Sequence, residues 1–467
     1  LRKRTLILAA ALTTGLLTAT PASAAPSGLA GDFNGDGYRD VAAGAPCTDV
    51  GPASCAGAVV VLYGSASGVS AARRAVITQN SAGVPGTAES GDLFGAALAA
   101  GDLDRDGYSD LVVGASNESI GDRDGVGSGT VLWGSASGLT SGKGLPQPST
   151  LAEYGNFSRG IAADDFDGDG DPDVTLTGQS HTRIYRGPFT RAGGPSSHSV
   201  VGELGTTYEV IAGDMTGDGA AERVYPFNVD GDTGGQINYF RWTGTTYKMA
   251  ELPNADGYPG SIGDIDRDGY GDLVLGDHTD PYDLKPGGHK GGQITVWYGG
   301  PTGPDPAQQP TVIHQDTAGV PGAGETDDGF GRAVSTGDIN GDGYADVVVS
   351  APGEDLGAAK DAGSVTVLFG SAAGLTTTGV KSYTQDTAGV PGSAESWDGF
   401  GSAVALKDVT RDGRADLVVG VAGENSTGGL WTLRGSASGL TTSGAQGITT
   451  TAVALKSGSG LGSVVAQ

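Results

Sequence analysis

The chain has 467 residues, 85 of them Gly and 22 Pro, a density of turn-forming residues that leaves little room for long helices. Asp and Glu number 54 against 27 Lys and Arg, and the formal charge of −27 excludes binding that works by neutralising nucleic-acid phosphates. With 37% apolar residues the chain can still bury a sizeable core, so the acidity has three readings: disorder, an acidic surface, or cation sites.

In chain order, Arg2, Lys3 and Arg4 precede an apolar stretch from Leu6 to Leu17 that ends in Ala22-Ser23-Ala24-Ala25. This pattern predicts a secretory signal over 1–25, with a soluble chain outside the cytoplasm and no stable membrane insertion. Cys47 and Cys55 are the two cysteines. Export favours their pairing as a disulfide over two free thiols, and two cysteines are too few for a structural zinc site.

From Asp32 onward a repeat governs the sequence. Its clearest copy runs Asp338-Ile339-Asn340-Gly341-Asp342-Gly343-Tyr344-Ala345-Asp346 and leads into Val347-Val348-Val349. Seven copies begin at Asp32, Asp102, Asp165, Asp214, Asp264, Asp338 and Asp408. A short apolar segment precedes each of the better copies. A Val/Leu run follows the loop, then a period-two segment such as Ala58 to Leu62, a Gly-Ser-Ala turn, and a weaker fourth strand before a Val-Pro-Gly loop. Four short strands in a unit of this length predict a propeller blade, and the fold class is an all-β, seven-bladed β-propeller over 29–467. The first loop lacks a preceding strand, whereas Leu461-Gly462-Ser463-Val464-Val465 has the strand without its loop, so the N- and C-terminal segments are predicted to complete one blade and close the ring.

The pairs Phe94-Gly95, Phe330-Gly331 and Phe400-Gly401, with Gly44-Ala45-Pro46 and its near copy Ser350-Ala351-Pro352, resemble the FG-GAP repeats of the integrin α N-terminal propeller and its bacterial secreted relatives. The resemblance covers the chain from about Leu29 to Gln467; blades three and four depart most, with closer spacing and no Phe-Gly pair.

Each acidic loop offers hard oxygen ligands at positions 1, 3, 5 and 9, a Gly at position 6 for the bend, and a main-chain carbonyl at position 7. The candidate sets are Asp32, Asn34, Asp36, Tyr38 and Asp40; Asp102, Asp104, Asp106, Tyr108 and Asp110; Asp165, Asp167, Asp169, Asp171 and Asp173; and Asp214, Thr216, Asp218, Ala220 and Glu222. The remaining three are Asp264, Asp266, Asp268, Tyr270 and Asp272; Asp338, Asn340, Asp342, Tyr344 and Asp346; and Asp408, Thr410, Asp412, Arg414 and Asp416. Calcium is the expected ion, because it tolerates an irregular oxygen shell that magnesium resists. An EF-hand is excluded, since position 12 is an apolar strand residue and no helices flank the loop. The resemblance implies the same, as integrin-like blades carry calcium in this hairpin. The loops at Asp102, Asp165 and Asp264 carry four carboxylates each and should bind best; Thr216 and Thr410 make their loops the weakest. Together the seven loops hold 24 of the 54 carboxylates at these positions, which locates much of the acidity.

The resemblance further implies recognition on the face opposite the acidic loops. Candidates there are Glu118, Asp122, Asp124, Glu354 and Asp355, the segment 277–292 with His278, Tyr282 and His289, and Glu89, Glu325, Glu395 and Trp397. No nucleophile elbow, His-Glu-x-x-His or Walker loop is present, so no catalytic residue is assigned. The expectation is a secreted, monomeric, calcium-stabilised propeller that binds an extracellular glycan or protein. The alternative is a polysaccharide-active lyase or glycosidase.

Overall fold

The computed structural model describes residues 26–147, 155–179, 182–201, 206–207, 209–228, 235–253, 255–281, 287–456 and 458–467. The expected signal segment, residues 1–25, and Tyr282 lie outside the described residues.

Seven antiparallel sheets make up the molecule, and each is one blade. Blade 2 shows the pattern: Phe94–Gly101, Asp110–Ala115, Ser128–Trp133 and Ser141–Gly144 follow one another as strands 1 to 4. Blades 3, 5, 6 and 7 repeat the order, beginning at Gly160–Asp164, Gly260–Gly263, Val334–Gly337 and Phe400–Lys407. Blade 4 carries an extra short strand, Thr206–Thr207, paired to its strand 2, Glu222–Asn228. The only helical turn among the described residues is a 3-10 turn at Glu424–Ser426.

Ring closure follows the expectation from the chain ends. Val464–Val465 supplies strand 1 of blade 1 and pairs antiparallel with Val41–Ala45, Val464 opposite Gly44 and Val465 opposite Ala43. Ala58–Leu62 and Arg74–Ile77 complete that blade. Closure has its own core: Val41, Val60 and Leu62 pack with Val418, Leu430 and Leu461 in one buried cluster. Pairing the two ends in one sheet removes an edge that an open array would leave unpaired.

Burial explains the strand patterns. Strand 2 is sandwiched between neighbouring blades, so Asp110–Ala115, Asp272–Asp277, Asp346–Ala351 and Asp416–Val421 are buried at every position and read as continuous apolar runs, not as an alternation. Strand 4 lies at the rim, and Thr376–Tyr383 is accordingly exposed or half-buried up to Ser382, with Tyr383 alone buried. Strand 1 of each blade faces a cavity of about 600 Å³ along the axis, into which Gln467 reaches to donate to the carbonyl of Val404 (3.0 Å). Cys47 and Cys55 are joined by a disulfide in the loop between strands 2 and 3 of blade 1.

The Phe-Gly and Gly-Ala-Pro motifs meet across blade boundaries. A Cβ on Gly44 would lie 2.1 Å from the carbonyl oxygen of Gly95, and one on Gly276 would lie 1.9 Å from that of Gly331. Each first glycine sits in strand 2 of one blade, each second after the Phe of the next. Close backbone approach is the physical content of both motifs.

Candidate functional site

Six of the acidic loops join strands 1 and 2 of their blades, the loop at Asp32 leads into strand 2 of blade 1 in the same place, and all seven lie on one face of the ring. Each folds around its own carboxylates. The first Asp accepts the N–H of the glycine five residues on: Gly37 donates to Asp32 (2.7 Å), Gly107 to Asp102 (3.0 Å), Gly170 to Asp165 (2.7 Å) and Gly219 to Asp214 (2.9 Å). Gly269 donates likewise to Asp264 (3.1 Å), Gly343 to Asp338 (2.8 Å) and Gly413 to Asp408 (2.9 Å). The carboxylate at position 5 accepts the N–H of residue 7 in every loop, as Tyr38 to Asp36 and Tyr344 to Asp342 show.

These bonds require two left-handed residues per loop. Position 6 is always Gly, with φ between +83° and +91°. Position 4 is left-handed as well, as Gly35, Gly168, Gly217 and Gly341 in four loops but as Arg105, Arg267 and Arg411 in the others.

The carboxylate at position 9 does a second job that its spacing did not reveal. Asp110 accepts the N–H of Leu103 (2.9 Å) and that of Gly134 (2.8 Å) at the end of strand 3, tying the hairpin to the adjacent Gly-Ser-Ala turn. Asp40, Asp272, Asp346 and Asp416 make the same two bonds, to Phe33 and Gly64, Ile265 and Gly299, Ile339 and Gly370, and Val409 and Gly435. Burial pushes the Asp110 carboxyl up to about 8 and those of Asp40, Asp272 and Asp346 to about 7; the N–H bonds oppose this, and the other loop carboxylates add to it. A divalent cation at the loop would reverse that balance.

Three loops gather carboxylate oxygens within 4.8 Å of one another: Asp102, Asp104 and Asp110; Asp165, Asp167 and Asp169; and Asp264, Asp266 and Asp272. Buried oxygens of Asp102, Asp104 and Asp167 have no hydrogen-bond donor. Unpartnered buried carboxylate oxygens beside further carboxylates are a donor set that fits a hard divalent ion. In the loops with Thr at position 3 the side chain is used internally: Thr216 donates to Glu222 (3.3 Å) and Thr410 to Asp416 (3.1 Å).

Arginines outside the loops also reach them. Arg191 donates to Asp104 (2.6 Å) and to Asp106, and Arg186 to Asp167 (2.8 Å) and Asp173 (2.5 Å). Arg73 pairs with Asp36 (2.9 Å). Among the described residues, no arginine pairs with Asp264, Asp266 or Asp272. Counting carboxylates ranked the loops at Asp102, Asp165 and Asp264 as equals; the arginines separate the third from the other two. No local sequence signal marks them: Arg186 is carried to its hairpin by the third strand of the same blade, and Arg191 reaches from blade 3 to the hairpin of blade 2.

The opposite face carries the loops between strands 2 and 3 and between blades. Trp397 is 70% exposed there, and Glu89, Asp122, Asp124, Glu325 and Glu395 are exposed too. Glu118 and Glu354 are instead half-buried acceptors for the side chains of Gln79 (2.6 Å) and Gln315, links repeated by Gln385 and Glu424 (2.8 Å). Asp355 is ion-paired with Lys360, and His278 packs edge-on against Tyr258. These four are held by protein partners, which leaves Trp397 and the acidic loop tips as the open surface.

Fold and site together define a closed, seven-bladed β-propeller with an acidic hairpin in every blade. The family model described as "FG-GAP repeat" matches residues 24–62, 94–132, 330–368 and 400–433, and that described as "FG-GAP-like repeat" matches 165–225. The chain therefore carries FG-GAP repeats on a β-propeller fold. It is similar to phosphatidylinositol-glycan-specific phospholipase D of Rattus norvegicus, 31% identical over 163 residues, covering 35% of this chain and 18% of that protein. Similarity to integrin alpha-PS2 of Drosophila melanogaster is 30% over 156 residues, covering 31% of this chain and 10% of the integrin. The chain thus spans under a fifth of either relative. Among solved structures, an Agrocybe aegerita lectin described as recognising non-reducing terminal N-acetylglucosamine aligns at a TM-score of 0.42 and 16% identity, over 76% of this chain and 83% of the lectin. That likeness is too loose to bear on a ligand.

Proposed function

We propose that this propeller is a secreted, calcium-stabilised recognition module that holds an extracellular glycan or protein on the face opposite its acidic hairpins. The observation that carries the reading is the division of labour between the faces. One face commits its carboxylates to self-bonded hairpins with unpartnered inward oxygens; the other presents Trp397, 70% exposed, among acidic loop tips. An exposed aromatic ring flanked by carboxylates suits sugar hydroxyls or a cationic protein surface.

Calcium would be held by side chains at positions 1, 3, 5 and 9 of each hairpin and by the carbonyl at position 7. The loop at Asp264 should fill first, because among the described residues no arginine shares its carboxylates. The ion supplies charge neutralisation: it binds the folded hairpins and not the unfolded chain, and so stabilises the ring by mass action. Dissociation constants of about 0.1–1 mM suffice outside cells.

The test is a panel of polysaccharides and cell-surface proteins, scored for retention and for breakdown products, with calcium and with chelator. Retention of an intact ligand, lost in Trp397→Ala, is the expected result. Shortened or unsaturated sugars would identify a polysaccharide-active enzyme instead, and neither retention nor turnover would overturn the reading.

A further inference from the structure

Away from the acidic hairpins, two histidines that lie 25 residues apart stack face to face. The rings of His289 and His314 have centroids 3.6 Å apart and planes 5° from parallel. His289 lies in the loop between strands 2 and 3 of blade 5; His314 and Asp316 directly follow its fourth strand, Thr311–Ile313. One ligand atom from each of His289, His314 and Asp316 falls within 4.8 Å of the others.

Two of the three side chains are anchored to the backbone. His289 Nδ1 donates to the carbonyl of Lys290 (2.7 Å), so the neutral imidazole carries its lone pair on Nε2, which stands 3.3 Å from Asp316 Oδ2 and would pair with it when protonated. Asp316 Oδ1 is held by the N–H of Gly324 (3.1 Å), so Oδ2 is the oxygen left over. Gly324 lets the backbone close on the group, since a Cβ there would stand 3.2 Å from both Asp316 Oδ2 and His289 Cε1. The Nδ1 atom of His314 is buried without a hydrogen-bond partner. An imidazole that donates its Nδ1–H to a carbonyl and so presents Nε2 as the ligand atom is the arrangement metal-binding histidines adopt.

Comparison with the other blades separates this group from the ordinary repeat. In blades 1 and 6 the corresponding loop reads Thr78-Gln79-Asn80 and Thr384-Gln385-Asp386, with Asn80 and Asp386 accepting the N–H of Ala88 (3.1 Å) and Ala394 (3.0 Å) as Asp316 accepts that of Gly324. Thr stands where blade 5 has His314, and neither facing loop, 46–57 or 352–363, contains a histidine. The backbone role of Asp316 therefore belongs to the repeat. Both histidines are departures from it, and they meet in space.

We infer that His289, His314 and Asp316 form a binding site for a first-row transition-metal dication, zinc foremost, that ties the two outer loops of blade 5 together. Two imidazoles and one carboxylate are the donor set for zinc with one position left open, and they select against calcium, which takes oxygen ligands. Binding requires the rings to turn out of their stack so that both lone pairs address one ion, in loops on the face that also carries Trp397.

The test uses the full chain held in saturating calcium, so that the acidic hairpins are occupied, and titrates it with cobalt(II) as a spectroscopic substitute for zinc. One cobalt per chain is expected, with the intense visible bands of a four-coordinate site, displaced stoichiometrically by zinc. His289→Gln and His314→Gln should each weaken binding by more than about 100-fold, beyond the loss typical of outer-shell partners. Asp316→Asn, which keeps the acceptor for Gly324, should do likewise with the metal-free melting temperature unchanged. An independent readout is the ring resonances of the two histidines, which should shift on adding zinc to the unsubstituted protein. No visible band, or a band that survives both histidine substitutions, would overturn the assignment.

Discussion

A methyl group on Gly420 would stand 1.8 Å from the carbonyl oxygen of Gly462. Gly420 lies in strand 2 of the last blade and Gly462 follows Leu461 at the end of the chain, so this contact repeats, at the closure, the one between Gly44 and Gly95. The chain's last segment therefore occupies the Phe-Gly position that a preceding strand would have supplied to blade 1. Gly420→Ala should destabilise the protein by about 3 kcal/mol, the cost of forcing two backbones apart in a packed boundary. Gly287→Ala, where a Cβ meets nothing within 4 Å, is the control and should change stability by less than about 0.5 kcal/mol. Urea unfolding in calcium decides between them; equal midpoints would refute closure through this contact.

Asp346 accepts the N–H groups of Ile339 and Gly370 while fully buried. Its role in the fold is therefore separable from any ion. In chelator, Asp346→Ala should cost about 1–3 kcal/mol for the two stranded donors. If the variant matched the unsubstituted protein in chelator and differed only in calcium, position 9 would be a ligand alone.

Calcium removal should lower the melting temperature, and the arginines give the effect a direction that composition does not. Arg191 holds Asp104 and Asp106, and Arg186 holds Asp167 and Asp173. Removing a competing guanidinium, itself partly exposed, should tighten calcium at those loops by about two- to five-fold, so Arg191→Ala and Arg186→Ala are expected to raise affinity in calorimetric titration. A fall would mean that the arginines organise the loops for the ion.

On the opposite face, burial raises Glu118 and Glu354 from 4.5 to about 7, with nearby carboxylates adding to the shift. Between those values the folded protein holds protons that the unfolded chain has released, so stability falls as pH rises. In chelator the melting temperature should decline from pH 5 to pH 7.5, the hairpin carboxyls of Asp272 and Asp346 contributing in the same sense. Glu118→Gln with Glu354→Gln should flatten part of that slope. A melting temperature that climbs across the window would contradict the shifts.

Much of the architecture was legible from residue order. The period of the acidic motif, the short apolar runs around it and the orphan strand at 461–465 gave seven blades and their closure, since each is a local pattern repeated along the chain. The inward turning of the hairpins was legible too, through the invariant Gly at position 6. The left-handed residue at position 4 was not, because Arg105, Arg267 and Arg411 carry no glycine to mark it. Glu118 and Glu354 read as free acids, yet their partners Gln79 and Gln315 stand 39 residues away in the preceding blade.

The sequence by itself thus determined the repeat, the strands, the acidic loops and the ring, all of which rest on hydrogen bonding and burial within a few residues or on one periodicity. Only the tertiary structure decided how the charges are shared. It brought Arg191 and Arg186 onto two of the three richest loops, left Asp264, Asp266 and Asp272 without an arginine among the described residues, gave position 9 two backbone donors, and stacked His289 on His314. Coulombic and metal-ligand interactions act over a few ångströms of space regardless of separation along the chain, and only the pairing of strands within a blade and the packing of one blade on the next set those distances.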